Sequence, residues 1–452
     1  MKNQISATFI LTLIVAAALL GLYFLPPLSI DGRPLRKVDL LADIRPDAEE
    51  EVCDSDTIVL PPPVKPIFVD TCKTGMTCIE DYSDSTMRGM KHFYESLSQT
   101  QKRPVRIAYF GDSFIEADIF TADLREMLQK KFGGCGVGYV PITTSIAGYR
   151  PTVGHKFGGW SSHSSNDSIG FDKSRQDISS HYFFPREGAF VQYKGQKQYA
   201  SRLDTCEVST LYLLNNNFAA VYSQVNAGEQ ELHEEPGYGD VQAISVEGRI
   251  GQVKWSVDLA DSTIFYGVAM DGKRGVALDN FSVRGSSGLN LKHIPMRTLK
   301  EFHRVRSYDL IVLQYGLNVA TERGVNYDSY RKGMLTVISH LKEAFPEASF
   351  LLVSVGDREY RTEEGDLRTM PGVKNLIRYQ QAIAAEGNIA FYNLYDAMGG
   401  QGSIVEMIDC KMANYDYTHI NFKGGKHLAG ILFESLMYGR EQYEKRKAYE
   451  KE

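Results

Sequence analysis

The sequence predicts an α/β protein whose parallel sheet is interrupted by a separate all-β domain. Strand-like apolar runs alternate with helical periodicity from 87 to 147 and again from 280 onward, as in a parallel sheet covered by helices on both faces. Between them, from Gly148 to Asp279, helical periodicity vanishes and short strand-like runs follow at fairly regular spacing, as in a β-sandwich or jelly roll. A third feature precedes both: Ile5 to Leu25 contains no charged residue and is about long enough to cross a bilayer as a helix.

That first run sets the organisation of the N-terminus. Ala16-Ala17-Ala18 is followed by further apolar residues up to Leu25, whereas a cleavable signal has a shorter core. Residues 1–27 are therefore read as an uncleaved single-pass membrane anchor, with secretion after cleavage as the alternative. Residues 28–86, with Pro61-Pro62-Pro63 and Pro66, read as a linker or surface arm. Met87 to Leu97 predicts a helix. Val105 to Phe110 predicts a buried strand, and Ile115, Ile119, Leu124, Met127 and Leu128 recur at helical spacing until Gly133-Gly134. Gly134-Cys135-Gly136-Val137-Gly138 follows a helix, where a dinucleotide fingerprint would follow a strand; it reads as a loop.

The inserted domain, 148–279, has predicted strands at 189–193, 208–214, 218–225, 241–246, 252–257 and 263–268. Trp160 and Trp255 suit its core better than a sugar-stacking surface. From 280 to 452 the α/β pattern resumes. Strands are expected at 310–313, 350–353 and 389–392, and helices at 327–345, 371–385 and 422–438. The charged tail from Gly439 reads as a solvated helical end.

Composition narrows the function classes. Hydrophobic content of 43% and charged content of 23% are globular, and a net charge of -6 gives no basis for nucleic-acid binding. The six cysteines include no Cys-x-x-Cys pair, and no Cys/His set has metal-ligand spacing, so no metal or cofactor is expected. In an exported chain the even count allows disulfides. Cys72 and Cys78 are the closest pair, with buried free thiols as the alternative.

Three loops at strand or helix ends carry residues suited to nucleophilic catalysis. Gly111-Asp112-Ser113 ends the first strand, placing a serine hydroxyl at a strand-to-helix turn. Tyr315-Gly316-Leu317-Asn318 follows the strand at Leu310, and Asp416-Tyr417-Thr418-His419 precedes the last helix. A serine needs a base, and the base needs an acceptor that fixes its tautomer; His419 and Asp416 supply both. A developing oxyanion needs donors such as the Asn318 side-chain amide. Gly285, in the loop Val283 to Gly288, offers a further backbone donor. Each motif alone has a plainer reading, namely a helix cap, a capping or pairing carboxylate or a turn residue. Their order and strand-end placement are what set them apart.

In these motifs the chain resembles the SGNH (GDSL-type) hydrolase family. Gly111-Asp112-Ser113, Gly285, Gly316-Leu317-Asn318 and Asp416-Tyr417-Thr418-His419 match the family's sequence motifs in order, over roughly 105 to 150 and 280 to 438. The resemblance implies a flavodoxin-like parallel sheet, Ser113 as nucleophile, His419 as general base and Asp416 as its orienting acid. The oxyanion donors would be the Ser113 and Gly285 amides and the Asn318 side chain. Val319 departs from the pattern, since many members have Asp after the Asn. No Gly-x-Ser-x-Gly elbow supports the alternative α/β-hydrolase fold. The run from Gly111 through Gly138 followed by a β-rich insertion is also similar to bacterial peptidoglycan O-acetylesterases, whose insertion looks like a carbohydrate-binding module. The expectation is therefore an esterase held at the bacterial inner membrane, its catalytic domain facing the periplasm or exterior, acting on an acetylated envelope polysaccharide. An O-acetyltransferase using the same acyl-enzyme and a non-catalytic glycan-binding protein are the alternatives.

Overall fold

The computed structural model describes residues 72–83, 88–167 and 169–449, with positions 10, 14, 29, 30, 33 and 34. Met1–Leu60 forms one compact unit, whose described part includes the antiparallel pair Ser29–Ile30 and Arg33–Pro34. The expected membrane anchor, apart from positions 10 and 14, and most of the expected linker lie outside the described residues. Among those described, no helix is long and apolar enough to cross a membrane. Pro61–Glu452 forms the second compact unit, and everything below concerns it.

Five parallel strands build its central sheet, in the order Gly275–Ser282, Pro104–Gly111, Leu310–Gln314, Ser349–Val353 and Ala390–Tyr392. In sequence terms this is the flavodoxin-like order 2-1-3-4-5. Every residue of the last three strands is buried, as helices on both faces require. Glu80–Asp81 adds a short antiparallel edge strand, so the end of the expected surface arm is part of the sheet. The Cys72–Cys78 disulfide closes just before that edge strand. Helices Arg88–Ser96, Asp328–Ala344 and Pro371–Glu386 fall within a residue or so of the predicted spans.

Three differences from the sequence reading concern where elements begin and end. The helix expected directly after Ser113 begins at Thr121. Before it lies a loop in which Ala117 and Asp118 take positive φ of 55° and 64°. Asp118 is fully buried there, held by Arg125, Arg150, Thr152 and Asn280; satisfying that carboxylate outweighs continuing the helix. Second, Gly275–Ser282 pairs in parallel with Pro104–Gly111 and belongs to the central sheet, although the insertion was expected to run to Asp279. Third, the last helix runs from Phe422 to Tyr449 without a break at Gly439. Much of its charged end is exposed, as expected, but Tyr443 is buried, meets Tyr94 at 5.9 Å and donates to Glu95 at 2.8 Å.

The insertion forms one hydrogen-bonded nine-stranded antiparallel sheet around its own core, which includes Trp255, Val191, Leu213, Val221 and Phe265. It begins earlier than Gly148, because Gly138–Pro141 already pairs with Ile264–Asp271. Both tryptophans serve this packing: Trp255 is buried, and the half-buried Trp160 donates its indole N–H to the Phe190 carbonyl at 2.8 Å. The glycine run before the first strand is also structural. At Gly136, with φ of 80°, a Cβ would sit 2.2 Å from the Met270 carbonyl oxygen, so only glycine lets the two backbones pass.

Candidate active site

The site lies beyond the carboxyl ends of the parallel strands, where the strand order reverses between Pro104–Gly111 and Leu310–Gln314. Hydrogen-bonded parallel register ends on Gly111 opposite Gln314 and Ser282. The three loops that follow those strands therefore leave the sheet side by side. Val283 N–H donates to the Gly111 carbonyl at 2.9 Å, fastening the Gly285 loop to the Ser113 loop. Gln380 accepts from the Val355 amide at 2.9 Å and donates to the Tyr315 carbonyl at 2.7 Å, fixing the third loop from behind.

The fourth loop comes from the other end of the chain. Ala413 and Ile420 form a β-bridge at its base, and the Asn414 amide donates to the His419 carbonyl at 2.8 Å. Tyr417, with φ of 57°, turns the chain between them. The Asp416 carboxylate accepts from the Thr418 amide at 3.0 Å, the His419 amide at 2.9 Å and His419 Nδ1 at 2.8 Å. Burial works to raise the Asp416 carboxyl, but these donors outweigh it and hold it below its usual value. With Nδ1–H committed to Asp416, His419 Nε2 is left as an acceptor. It stands 2.9 Å from Ser113 Oγ. Two residues separated by 306 positions thus meet at hydrogen-bond distance.

The remaining predicted residues converge on the same place. The Ser113 and Gly285 N–H groups meet no acceptor among the described residues, and Gly285 sits in an exposed turn with φ of 77°. Asn318 Nδ2 donates to the Ser286 carbonyl at 3.0 Å and lies 3.4 Å from Asp112 Oδ2. Its amide thereby spans the Gly285 and Ser113 loops.

Two residues of the site carry no sequence-level signal of their role. Asp112 is 1% exposed. Its Oδ1 accepts the Phe114 amide at 3.0 Å. Burial pushes its carboxyl up to about 6, opposed by amide donors at Phe114, Leu317 and Gly316 and by the nearby His419. Asp112 thus ties the Ser113 loop to the Asn318 loop. Arg358 donates to the Leu317 carbonyl at 2.8 Å, while the next residue's amide, Glu359 N–H, reaches the Tyr417 carbonyl at 3.1 Å. The segment after Ser349–Val353 therefore links the Asn318 loop to the His419 loop. Among the described residues no group of three or more His, Cys, Asp or Glu side chains could hold a metal ion.

Comparison with solved structures agrees with this architecture. A peptidoglycan O-acetylesterase superposes with a TM-score of 0.67 at 18% identity, covering 80% of this chain and 99% of that one. A family two carbohydrate esterase from Clostridium thermocellum, solved with cellohexaose, covers 56% of this chain and 92% of its own. At a TM-score of 0.27 and 10% identity that second match bears no weight. No family model matches the chain, and no curated protein matches it by sequence. The fold is a parallel α/β sheet in the order 2-1-3-4-5 with an inserted antiparallel β domain. It is shared along most of this chain with a solved peptidoglycan O-acetylesterase.

Proposed function

We propose that this protein is a serine esterase that removes O-acetyl groups from a cell-envelope polysaccharide. The observation that carries the reading is the relay Ser113 Oγ to His419 Nε2 at 2.9 Å and His419 Nδ1 to Asp416 Oδ2 at 2.8 Å. It sits on a fold shared with a protein that acts on acetylated peptidoglycan. In the reaction Ser113 Oγ attacks the acetyl carbonyl while His419 Nε2 takes the hydroxyl proton. The Ser113 and Gly285 amides and the Asn318 amide receive the charge that develops on the carbonyl oxygen. The tetrahedral intermediate expels the sugar oxygen, which takes the proton back from His419, and an acetyl group stays on Ser113. Water, deprotonated by His419, then releases acetate and restores Ser113. No step needs a metal or cofactor.

A site outside the cytoplasm, tethered by the run from Ile5 to Leu25, belongs to the same reading. The Cys72–Cys78 disulfide supports it, because such bonds persist in oxidising compartments. The test is hydrolysis of 4-nitrophenyl acetate by the wild type and by Ser113→Ala, with mass spectrometry for an acetyl adduct on Ser113. Activity falling by roughly a thousandfold or more in the variant is expected. Equal rates in the two proteins would sink the assignment.

A further inference from the structure

Arg358, which braces the Asn318 loop, is flanked in sequence by two buried carboxylates, Asp357 and Glu359. The short hairpin Glu359–Arg361 and Leu367–Thr369 sets Glu359 opposite Thr369. Thr369 Oγ1 lies 2.8 Å from Asp357 Oδ1 and 3.1 Å from Glu359 Oε1. A hydroxyl has one proton to give, and here it goes to the nearer carboxylate, Asp357, which also accepts the Ile404 amide at 3.0 Å. Glu359 Oε1 is then left without a donor, and its Oε2 is buried with no hydrogen-bond partner among the described residues. Two more atoms stand in the same condition at the same place. Ser403 Oγ lies beside Asp357, and the Tyr395 hydroxyl beside Thr369 and both carboxylates. Both are buried and without a hydrogen-bond partner among the described residues. Glu359, Tyr395 and Ser403 are only 6%, 7% and 1% exposed, so bulk water does not serve them.

Charge and hydrogen bonding together narrow what satisfies this group. The neighbours acting on the charge of either carboxylate are amides, hydroxyls and the other carboxylate. Buried charge without a counterion is costly. A shared proton would cancel charge but leave the Tyr395 and Ser403 hydroxyls unmatched. A water molecule would serve the hydroxyls and leave the charge. One cation answers both, since it neutralises the carboxylates and takes lone pairs from the hydroxyl oxygens. Oxygens sharing an ion at about 2.3–2.6 Å stand about 3 Å apart, which is the spacing around Thr369. A donor set of oxygen alone selects a hard cation. Asp357 Oδ1, both Glu359 oxygens, Thr369 Oγ1, Ser403 Oγ and the Tyr395 hydroxyl make six, a number that suits calcium. Two of these donors' side chains are carboxylates and the others are hydroxyls.

We propose that Asp357, Glu359, Thr369, Ser403 and Tyr395 bind one calcium ion, which braces the loops of the active site. The ion takes no part in the ester chemistry. Holding Asp357 and Glu359 together fixes the segment between them. There the Arg358 guanidinium holds the Leu317 carbonyl at 2.8 Å, next to Asn318. The Glu359 amide holds the Tyr417 carbonyl at 3.1 Å, between Asp416 and His419. Binding follows from the oxygens alone, and only its effect on rate rests on the esterase reading.

The test uses the full-length protein, stripped of metal with EDTA and desalted, with CaCl2 as the probe. Calorimetry should give a single-site isotherm, and saturating CaCl2 should raise the thermal midpoint by about 3 °C or more. MgCl2 should do less, because magnesium demands stricter octahedral geometry. Glu359→Gln keeps the shape and removes the charge. It should abolish both responses, with a metal-free midpoint at or above that of the wild type. Glu363→Gln, at an exposed position in the turn of the same hairpin, should respond as the wild type does. With 4-nitrophenyl acetate, CaCl2 should raise kcat of the stripped wild type by about fivefold or more and leave Glu359→Gln unmoved. A stripped wild type that shows neither heat nor a midpoint shift with CaCl2 would overturn the site, as would an equal response in Glu359→Gln. A midpoint indifferent to CaCl2 but higher at pH 5 would put a shared proton in the ion's place. Calcium binding that leaves the rate of an active enzyme unchanged would overturn the bracing of the loops. A protein that binds calcium and hydrolyses no ester would overturn the esterase reading and leave the site standing.

Discussion

Asp112 and Asp416 show how two carboxylates in one site are driven in opposite directions. Asp416 is half exposed and gathers three donors, so it stays ionised. Removing its charge while keeping its shape, in Asp416→Asn, should favour the wrong His419 tautomer. We expect kcat to drop by roughly two to four orders of magnitude with little change in KM; a drop of less than about threefold would show that His419 is oriented by something else. Asp112 is buried and its carboxyl is pushed from 3.8 to about 6. Its folded form holds a proton more tightly than the unfolded form does, so stability is highest at low pH and falls as pH rises through that window. The loss amounts to about 3 kcal/mol once both forms are ionised. In urea unfolding at pH 4 and pH 7.5, Asp112→Asn should gain on the wild type by this order at the higher pH only. Parallel pH profiles for the two proteins would refute the burial account.

Among the elements, the last helix does more than follow the His419 loop. Its far end docks on Arg88–Ser96 through Tyr443 against Tyr94, and through Tyr443 and Lys447 on Glu95. Arg88–Ser96 in turn sets the Phe93 amide 3.1 Å from Ser349 Oγ, at the start of a central strand. The helix is thus anchored to the sheet at the end remote from the site. Tyr443→Ala should cost about 3 kcal/mol by removing a buried ring, seen as a lower urea midpoint with an unchanged slope. The ester-hydrolysis rate under native conditions should not move, because the loop at the near end keeps its own bridge. A selective loss of activity with no loss of stability would place the tail in the chemistry.

For the whole unit from Pro61 to Glu452, the junction between the two sheets is decided by one buried cation. Arg306 is fully buried and donates to Asp271 at 2.6 Å and to Asp279 at 2.6 Å. Asp271 ends a strand of the antiparallel sheet, and Asp279 lies within a strand of the parallel one. Asp279 also accepts the Tyr139 amide at 2.7 Å and the Tyr308 hydroxyl at 2.7 Å. Burial disfavours ionisation of Asp279, yet the Arg306 guanidinium holds its carboxyl below the usual value. Arg306→Met leaves Asp279 buried without its counterion and Asp271 with only Arg106, 3.9 Å away, which should cost about 3–5 kcal/mol. Because both sheets lean on the same group, calorimetry should show one transition shifted downward. A variant in which only part of the heat moves would mean that the insertion unfolds by itself.

Period and punctuation in the sequence determined much of this protein. Alternating apolar strands and amphipathic helices are local patterns, so the parallel sheet, the β-rich interruption and helices such as Pro371–Glu386 could be read directly. The candidate site residues were legible too, since their types stand in loops at strand and helix ends: Ser113, Asp416 and His419 lie within hydrogen-bond distance of one another in series. Gly275–Ser282 escaped notice because its run, buried through Phe281, carries Asp279 and Asn280, whose partners come from elsewhere in the chain. The loop around Ala117 replaced the start of a helix because Asp118 needed two arginines and an asparagine that only the fold delivers. Asp112 and Arg358 gained their roles the same way, by bonding to loops far along the chain. The sequence by itself determined most of the elements and which side chains are candidates for nucleophilic chemistry. The tertiary structure alone decided which buried charges meet, because each such pairing depends on burial and on partners remote in the chain.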